Sequence, residues 1–400
     1  MKLRCDYRST LRAAYLSSVG QAIAISVPPL LFLTFQDTYG IPLDRITLLI
    51  TVNFLIQLLT DLAASRFVDR AGYRVCMVAG ELLTALGLAG TGLLPDWFPS
   101  PYAGLMAANI VCAVGAGLIE VLTSPVVEAC PTAHKESSMS RLHSFYCWGC
   151  VLAIIGTTAF FSLFGIGRWR LLCMLWAILP LANALNITRV PFWKLGGEAG
   201  SAPLRTLLSR RQFWLFALLM VCAGAAEQGM SQWASAFAES ALGLTKAVGD
   251  LAGPCMFAIL MGASRALYTR FHSRLPLTPY LLGSGLLCIA SYLTAALAAN
   301  PVLGLLGCGF CGFSVGMLWP GTMSMASARF PRGGAAMFAL LSLGGDLGCS
   351  AGPTVVGLAA SAAGGRMQAG LLAGLVFPIL LLLGLLLCFR PGRSAPEQPE

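Results

Sequence analysis

The chain has 400 residues, is 57% hydrophobic and only 11% charged, and carries a formal net charge of +9, where a soluble domain holds roughly 25% charge. This composition excludes a water-soluble protein. It also excludes a nucleic-acid-binding domain, because the basic residues lie in short loops between apolar runs and never form a solvated basic surface.

Lys2, Arg4, Arg8 and Arg12 precede an apolar run of about 25 residues, too long for a signal-peptide core, so it reads as a retained first span. A bilayer core needs about 20 apolar residues in a helix. Twelve windows of that kind occur: Leu11–Phe35, Ile46–Phe67, Val75–Leu94, Ala103–Val127, Leu142–Phe164 and Trp169–Ile187, then Phe213–Phe237, Val248–Tyr268, Thr278–Ala299, Val302–Ala326, Ala335–Ala360 and Ala369–Phe389. The predicted fold is an all-α membrane protein of twelve transmembrane helices in two six-helix, pseudo-symmetric bundles. Its parts are an N-terminal bundle over 1–187, a basic cytoplasmic linker over 188–211, a C-terminal bundle over 212–389 and a cytoplasmic tail over 390–400. Lys and Arg concentrate on the side that holds the N-terminus, the linker and the tail, which predicts cytoplasmic termini in a multi-pass plasma-membrane protein. At an offset of 200 residues Gly104 matches Gly304, Leu118 matches Leu318 and Pro131 matches Pro331, the mark of an internal repeat. Repeats of this kind frame a central site near the bilayer midplane.

Between the second and third spans lies a charged turn, Ser65-Arg-Phe-Val-Asp69-Arg70-Ala-Gly72-Tyr-Arg74, and Ala263-Ser264-Arg265 echoes a fragment of it near the end of the eighth span. The turn resembles the signature of the major facilitator superfamily, G-x-L-x-D-R-x-G-R-R, with Ser65 in place of the leading glycine and Tyr73 in place of a basic residue. The resemblance covers essentially the whole chain and implies alternating access by two rocking bundles. It also implies a gate in which Ser65, Asp69, Arg70, Gly72 and Arg74 take part, the acid at Asp69 capping the start of the eleventh span, where helix N-terminal amides favour an anion.

Ionisable side chains inside a span are costly, about 2.5 to 3.5 kcal/mol on insertion scales, and each needs a reason. Three lie far from the predicted span ends: Glu120, Glu227 and Asp346. Asp61, Glu81, Glu128 and Asp250 lie nearer the ends. Glu120 shares a helical face with Asn109, Ala113, Ala116 and Ser124, which suits either a cavity wall with a proton-coupling acid or a structural acid bonded to a neighbouring helix. Glu227 heads the cluster Gln228, Ser231, Gln232 and Trp233, whose amides beside an aromatic ring suit a polyhydroxylated ligand; the alternative is packing between helices. Asp346 falls within Gly344, Gly348 and Gly352, whose spacing of four makes a smooth packing face, and either pairs across that face or lines the cavity. Gln21, Tyr146 and Trp148 complete the candidate cavity, while His143 reads as an interfacial residue. Asn53, Gln57, Asp61 and Ser65 form a polar stripe for interhelical bonding. Pro28-Pro29 and Trp319-Pro320-Gly-Thr322 are expected to break the first and tenth spans.

Glu120, the Leu142-His-Ser-Phe-Tyr start of the fifth span and Pro320-Gly-Thr322 resemble the fucose-proton symporter and related sugar porters, although this chain has no acid in its first span. That resemblance implies import of a small polar solute, a sugar, together with protons, with the fourth-span acid Glu120 taking part in coupling; Glu227 and Asp346 are the other candidate coupling acids. A proton-driven exporter is the alternative, since Gly348-Cys-Ser-Ala-Gly352-Pro353-Thr-Val-Val-Gly357 resembles an antiporter signature displaced from the fifth span to the eleventh. Cys147 with Cys150 and Cys308 with Cys311 lie mid-span without a second pair at zinc spacing, and Gly307 to Gly312 has no strand before it. No metal, cofactor or catalytic residue is therefore expected, and the chain does not read as an enzyme. The expected partners are the solute, protons and membrane lipids, for a monomer that binds no nucleic acid.

Overall fold

The computed structural model describes residues 6–132, 135–193, 207–271, 274–298, 300–330 and 334–388, with side chains for all of these except 65–67, 69, 135–137, 140 and 334–336. Of the predicted linker over 188–211, residues 194–206 lie outside the described residues, as does the predicted tail over 390–400. All regular structure among them is helical. Eleven helical stretches are long and apolar enough to cross a membrane, among them Tyr7–Tyr39, Tyr73–Trp97, Pro101–Ala129, Ile166–Ile187, Arg211–Ser240, Lys246–Phe271, Leu277–Leu297 and Pro301–Arg329. A further helix, Gly334–Ala362, has 29 residues and occupies the place of the predicted eleventh span. Most helices run a few residues past the predicted windows, because a helix need not stop where the hydrocarbon does. The second, for instance, runs Leu43–Ala71 and takes in Asp44 and Arg70.

Contacts divide the chain into two units, Met1–Gly197 with Thr245–Leu251, and Glu198–Leu244 with Ala252–Glu400. In the first unit the third span packs between the fourth and the sixth, and its approach is set by small residues. A Cβ on Gly87 would come 2.4 Å from that of Cys112, and one on Gly115 would come 2.4 Å from the Thr84 nitrogen. The polar stripe of the second span bonds across helices at Asn53: Asn53 Nδ2 donates to Asn109 Oδ1 (2.9 Å) and Asn109 Nδ2 donates to the Leu49 carbonyl (2.9 Å), while Gln57 donates to Asn53 Oδ1 within the second span itself.

Two ends of this unit are tied by arginines. Arg170 Nε and Nη2 each lie 2.9 Å from an Asp96 carboxylate oxygen, and Nη2 also donates to the Tyr39 hydroxyl at 2.8 Å, joining the sixth, third and first spans. Both charged side chains are partly open to solvent, so Arg170→Ala is expected to cost no more than about 1 kcal/mol. A thermal-shift series of the purified protein at rising salt would show the gap to the parent closing; a salt-independent loss would contradict that screening. At the other end Arg74 Nη2 donates to the Val190 carbonyl at 2.7 Å and the guanidinium lies 5.3 Å from the centroid of the Phe192 ring, holding the segment after the sixth span. Gly72 separates the second helix from the third with φ +89°, a backbone conformation open to glycine and strained for other residues.

In the second unit the glycine face of Gly334–Ala362 lies on the seventh span, where Gly344, Gly348 and Gly352 meet the backbone oxygens of Ala217, Val221 and Ala225 in turn. The tenth span breaks one turn earlier than the sequence suggests. Its helices run Pro301–Val315 and Leu318–Arg329, with the turn at Gly316–Met317. Pro320 lies in the first turn of the resumed helix, where its missing N–H costs least, and the disruption falls on the residues before it.

Candidate functional site

The polar side chains of the second unit gather halfway along the seventh span. Glu227 is half-buried, and Gln228 Nε2 approaches its Oε1 at 3.5 Å. Gln228 Oε1 in turn accepts from Ser231 Oγ at 3.2 Å and from Gln232 Nε2 at 3.1 Å, and both glutamines are buried. The one-turn spacing of Gln228 and Gln232 stacks their amides on one face. Directly after this cluster the helix breaks at Gln232–Trp233 before resuming over Ala234–Ser240. Trp233 is fully buried, and its indole nitrogen donates to the Pro353 carbonyl at 2.9 Å. It thus tethers the seventh span to the eleventh. Asp346 is 8% exposed, next to Gly345, whose Cβ position lies 2.0 Å from the Trp319 ring.

A residue the sequence reading passed over lies in the same unit. Arg265 lies within the eighth span, six residues before the helix ends at Phe271, and its half-buried guanidinium donates from Nε to the Gly316 carbonyl at 2.9 Å. That carbonyl would normally accept from the backbone nitrogen four residues on, which here is Pro320, a residue with no N–H. Arg265 therefore satisfies the acceptor that the proline leaves over. The Ser264-Arg265 echo of the charged turn is consequently not a surface feature. An arginine falling inside the predicted Val248–Tyr268 window was the available signal.

In the first unit, Gln21 is buried and Gly149 of the fifth span abuts Val19 and Ala22 of the first, a Cβ there coming 2.8 Å from Ala22 Cβ. This close approach brings the region of Tyr146 and Trp148 to the first span, where Phe145 also stacks on Tyr15 with centroids 5.0 Å apart. Tyr146 is half-buried and Trp148 is 65% exposed. Glu120 and Ser124 are half-buried, four residues apart on the fourth span, and the Thr123 hydroxyl donates to the Glu120 backbone carbonyl at 3.4 Å. The Asn109 end of the same face is closed by its bonds to the second span. Of the predicted gate, the side chains of Ser65 and Asp69 lie outside the described residues, Arg70 is exposed and Arg74 is half-buried.

The second residue missed is Glu81. It is fully buried in the third span, and its Oε1 accepts from Asn183 Nδ2 of the sixth span at 2.7 Å. The same amide nitrogen lies 3.1 Å from Ser17 Oγ and 3.1 Å from the Ala13 carbonyl of the first span. Three spans therefore meet on one side-chain amide. Among the described residues no group of three His, Cys, Asp or Glu side chains gathers to hold a metal ion.

Residues 14–353 match a family model described as Major Facilitator Superfamily. Among solved structures, a bacterial homologue of the human lysosomal transporter Spinster, inward-facing and occupied, superposes with a TM-score of 0.78 at 16% identity, covering 98% of this chain and 99% of that one. A D-xylose-proton symporter gives 0.76 at 12% identity over 96% and 98%, and the E. coli fucose:proton symporter 0.64 at 17% over 95% and 98%. At these identities the likeness carries the fold, and it is not confined to the sugar-porter branch.

Proposed function

Because the chain belongs to the Major Facilitator Superfamily, whose members move solutes by secondary transport, we propose that this transporter carries a small hydroxylated solute of the sugar class into the cell in symport with protons. The observation that carries the reading is the hydrogen-bonded set Glu227, Gln228, Ser231 and Gln232 at mid-span. Side-chain amides and a hydroxyl offer a polyhydroxylated ligand both donors and acceptors, and a carboxyl beside them provides a place for a proton. Glu120, inside the fourth span, is the second coupling acid in this reading, and Asp346 the third. The two sugar-proton symporters among the structural relatives lend the reading support by analogy only. The distribution of basic residues favours cytoplasmic termini in a plasma membrane.

The test is uptake into proteoliposomes with an imposed proton gradient. The parent is expected to accumulate the solute and to alkalinise a weakly buffered exterior as it does so. Glu227→Gln and Glu120→Gln are expected to lower gradient-driven accumulation roughly tenfold or more, the scale of a coupling free energy between two ligands, while leaving downhill exchange in place. Accumulation that ignores both the gradient and these substitutions would refute the coupling.

A further inference from the structure

We propose that Glu81 is a proton-binding site of the first unit, distinct from the three candidate coupling acids, and that its occupancy sets how firmly the first span packs on the third and sixth. The use of that proton in transport rests on the reading above. Glu81 is fully buried and is the ninth residue of Tyr73–Trp97, so about 12 Å of helix separates it from the first residue. Its two oxygens are treated unequally. Oε1 accepts from Asn183 Nδ2 at 2.7 Å, whereas among the described residues Oε2 is buried with no hydrogen-bond partner, 3.5 Å from the Cβ position of Gly20. An ionised carboxylate in that place is a buried charge met by one neutral donor, a costly state. The neutral acid fits the same contacts, with its carbonyl oxygen at Oε1 and its proton on Oε2.

No charge is placed to offset the anion. At this level the fourth span turns Gly115, Leu118 and Ile119 toward the third, around Gly80. Cys112 of the fourth span reaches the Thr84 carbonyl, at 4.0 Å, and the Tyr15 ring of the first span stacks on Phe145 of the fifth. Arg74, about two turns before Glu81 on the same face, donates to the Val190 carbonyl. From the sixth span come only the neutral amides Asn183 and Asn186.

The hydrogen bonds around Glu81 are short of donors. Asn183 Nδ2 lies within 3.1 Å of three acceptors, Glu81 Oε1, Ser17 Oγ and the Ala13 carbonyl, yet an amide carries two hydrogens. The Ser17 hydroxyl is itself given to the Ala13 carbonyl at 3.1 Å. Loss of the Oε2 proton to water adds an acceptor and a charge to this joint. A donor then comes only from turning Ser17 away from Ala13 or from parting the helices to admit water, and either loosens the first span. By linkage, a conformation in which the three spans are closed binds the proton more tightly than one in which they part. A purely structural Glu81, ionised throughout and satisfied by Asn183, would show no such dependence.

The experiment is an infrared titration of the purified full-length protein across the neutral range, read at the carbonyl stretch of protonated carboxyl groups. The parent is expected to show a component that Glu81→Gln lacks and that fades as the pH rises. Gly20→Ser places a hydroxyl within reach of Oε2, and its Cβ meets nothing closer than 3.5 Å. It is expected to weaken proton binding roughly tenfold, the scale of one hydrogen bond to a charged group, so that the component fades at lower pH. This variant keeps Glu81 and serves if Glu81→Gln does not fold. In thermal unfolding the parent is expected to lose stability relative to Glu81→Gln as the pH rises, by at most about tenfold in the unfolding equilibrium per pH unit, the limit for one proton. No Glu81 component at any pH, a component unmoved by Gly20→Ser, or stability curves that run parallel overturns the inference. The titration needs no solute, so its failure leaves the uptake test of the transport reading untouched, and failed uptake beside a titrating Glu81 removes the transport reading alone.

Discussion

Gly348→Ala is expected to destabilise the second unit by about 3 kcal/mol or more, at the upper end of the range for overpacking, whereas Gly283→Ala is expected to stabilise it by roughly 0.5 to 1 kcal/mol, the helix-propensity difference between the two residues. The chemistry is identical at the two sites, and the surroundings decide the sign. A methyl on Gly348 would sit 2.0 Å from the Val221 carbonyl oxygen and 2.9 Å from the Ala225 nitrogen, both backbone atoms that cannot move aside alone. Its neighbours in the repeat behave alike: Gly352 would reach 2.2 Å from the Ala225 oxygen, and Gly224, on the seventh span, 2.3 Å from the Gly345 oxygen. Glycines at a spacing of four on one helix thus mesh with carbonyls at a spacing of four on the other, the close backbone contact that small residues permit between membrane helices. Separating the helices to admit the methyl would also strain the bond from Trp233 to the Pro353 carbonyl. Gly283, by contrast, is exposed on Leu277–Leu297 with nothing within 4 Å of its Cβ position. Thermal unfolding of the two variants in one detergent decides the matter. Shifts of equal size or the same sign would show that the close packing of the seventh and eleventh spans is not what fixes this unit.

The spans were legible because hydrocarbon thickness imposes a length and a composition that a single sequence displays. Pattern alone also revealed the Gly344, Gly348 and Gly352 face and the stripe from Asn53 to Gln57, since a helical repeat converts spacing directly into a shared side. What the sequence concealed was depth and direction. Glu81 reads as close to a span end, yet it is the ninth residue of Tyr73–Trp97 and fully buried, because that helix begins earlier than its apolar window and packs between two others. Arg265 reads as part of a loop motif, because its partner, the carbonyl orphaned by Pro320, lies 51 residues away in sequence and no local rule pairs them. Trp233 reads as an aromatic ring beside amides, whereas it points into the unit and bonds to backbone. A polar run in an apolar helix announces that partners exist without saying on which neighbour they lie.

Asn183→Leu is expected to cost the first unit about 3 to 5 kcal/mol if Glu81 is ionised, the penalty for stripping a buried charge of its partner, and about 1 to 3 kcal/mol if it is neutral. The direction of the bond is constrained on both sides. Asn186 Nδ2 approaches Asn183 Oδ1 at 3.3 Å, which turns the Asn183 amide nitrogen toward Glu81, Ser17 and Ala13. Leucine offers no donor to any of them. Among the described residues Glu81 Oε2 is buried without a hydrogen-bond partner, facing the backbone near Gly20, so Asn183 is the donor that the carboxyl stands to lose. Glu81→Gln keeps an oxygen for Asn183 and is expected to be mild. The double variant Glu81→Leu with Asn183→Leu removes donor and acceptor together and replaces them with apolar volume, so it should recover much of the single-variant loss, because the cost lies in the unmet partner and not in the missing bond. A double-mutant cycle by thermal or denaturant unfolding is expected to yield a coupling of roughly 1 to 3 kcal/mol between the two positions. Additive losses would mean that Asn183 serves Ser17 and Ala13 alone, and that the joint between the first, third and sixth spans does not depend on the buried acid.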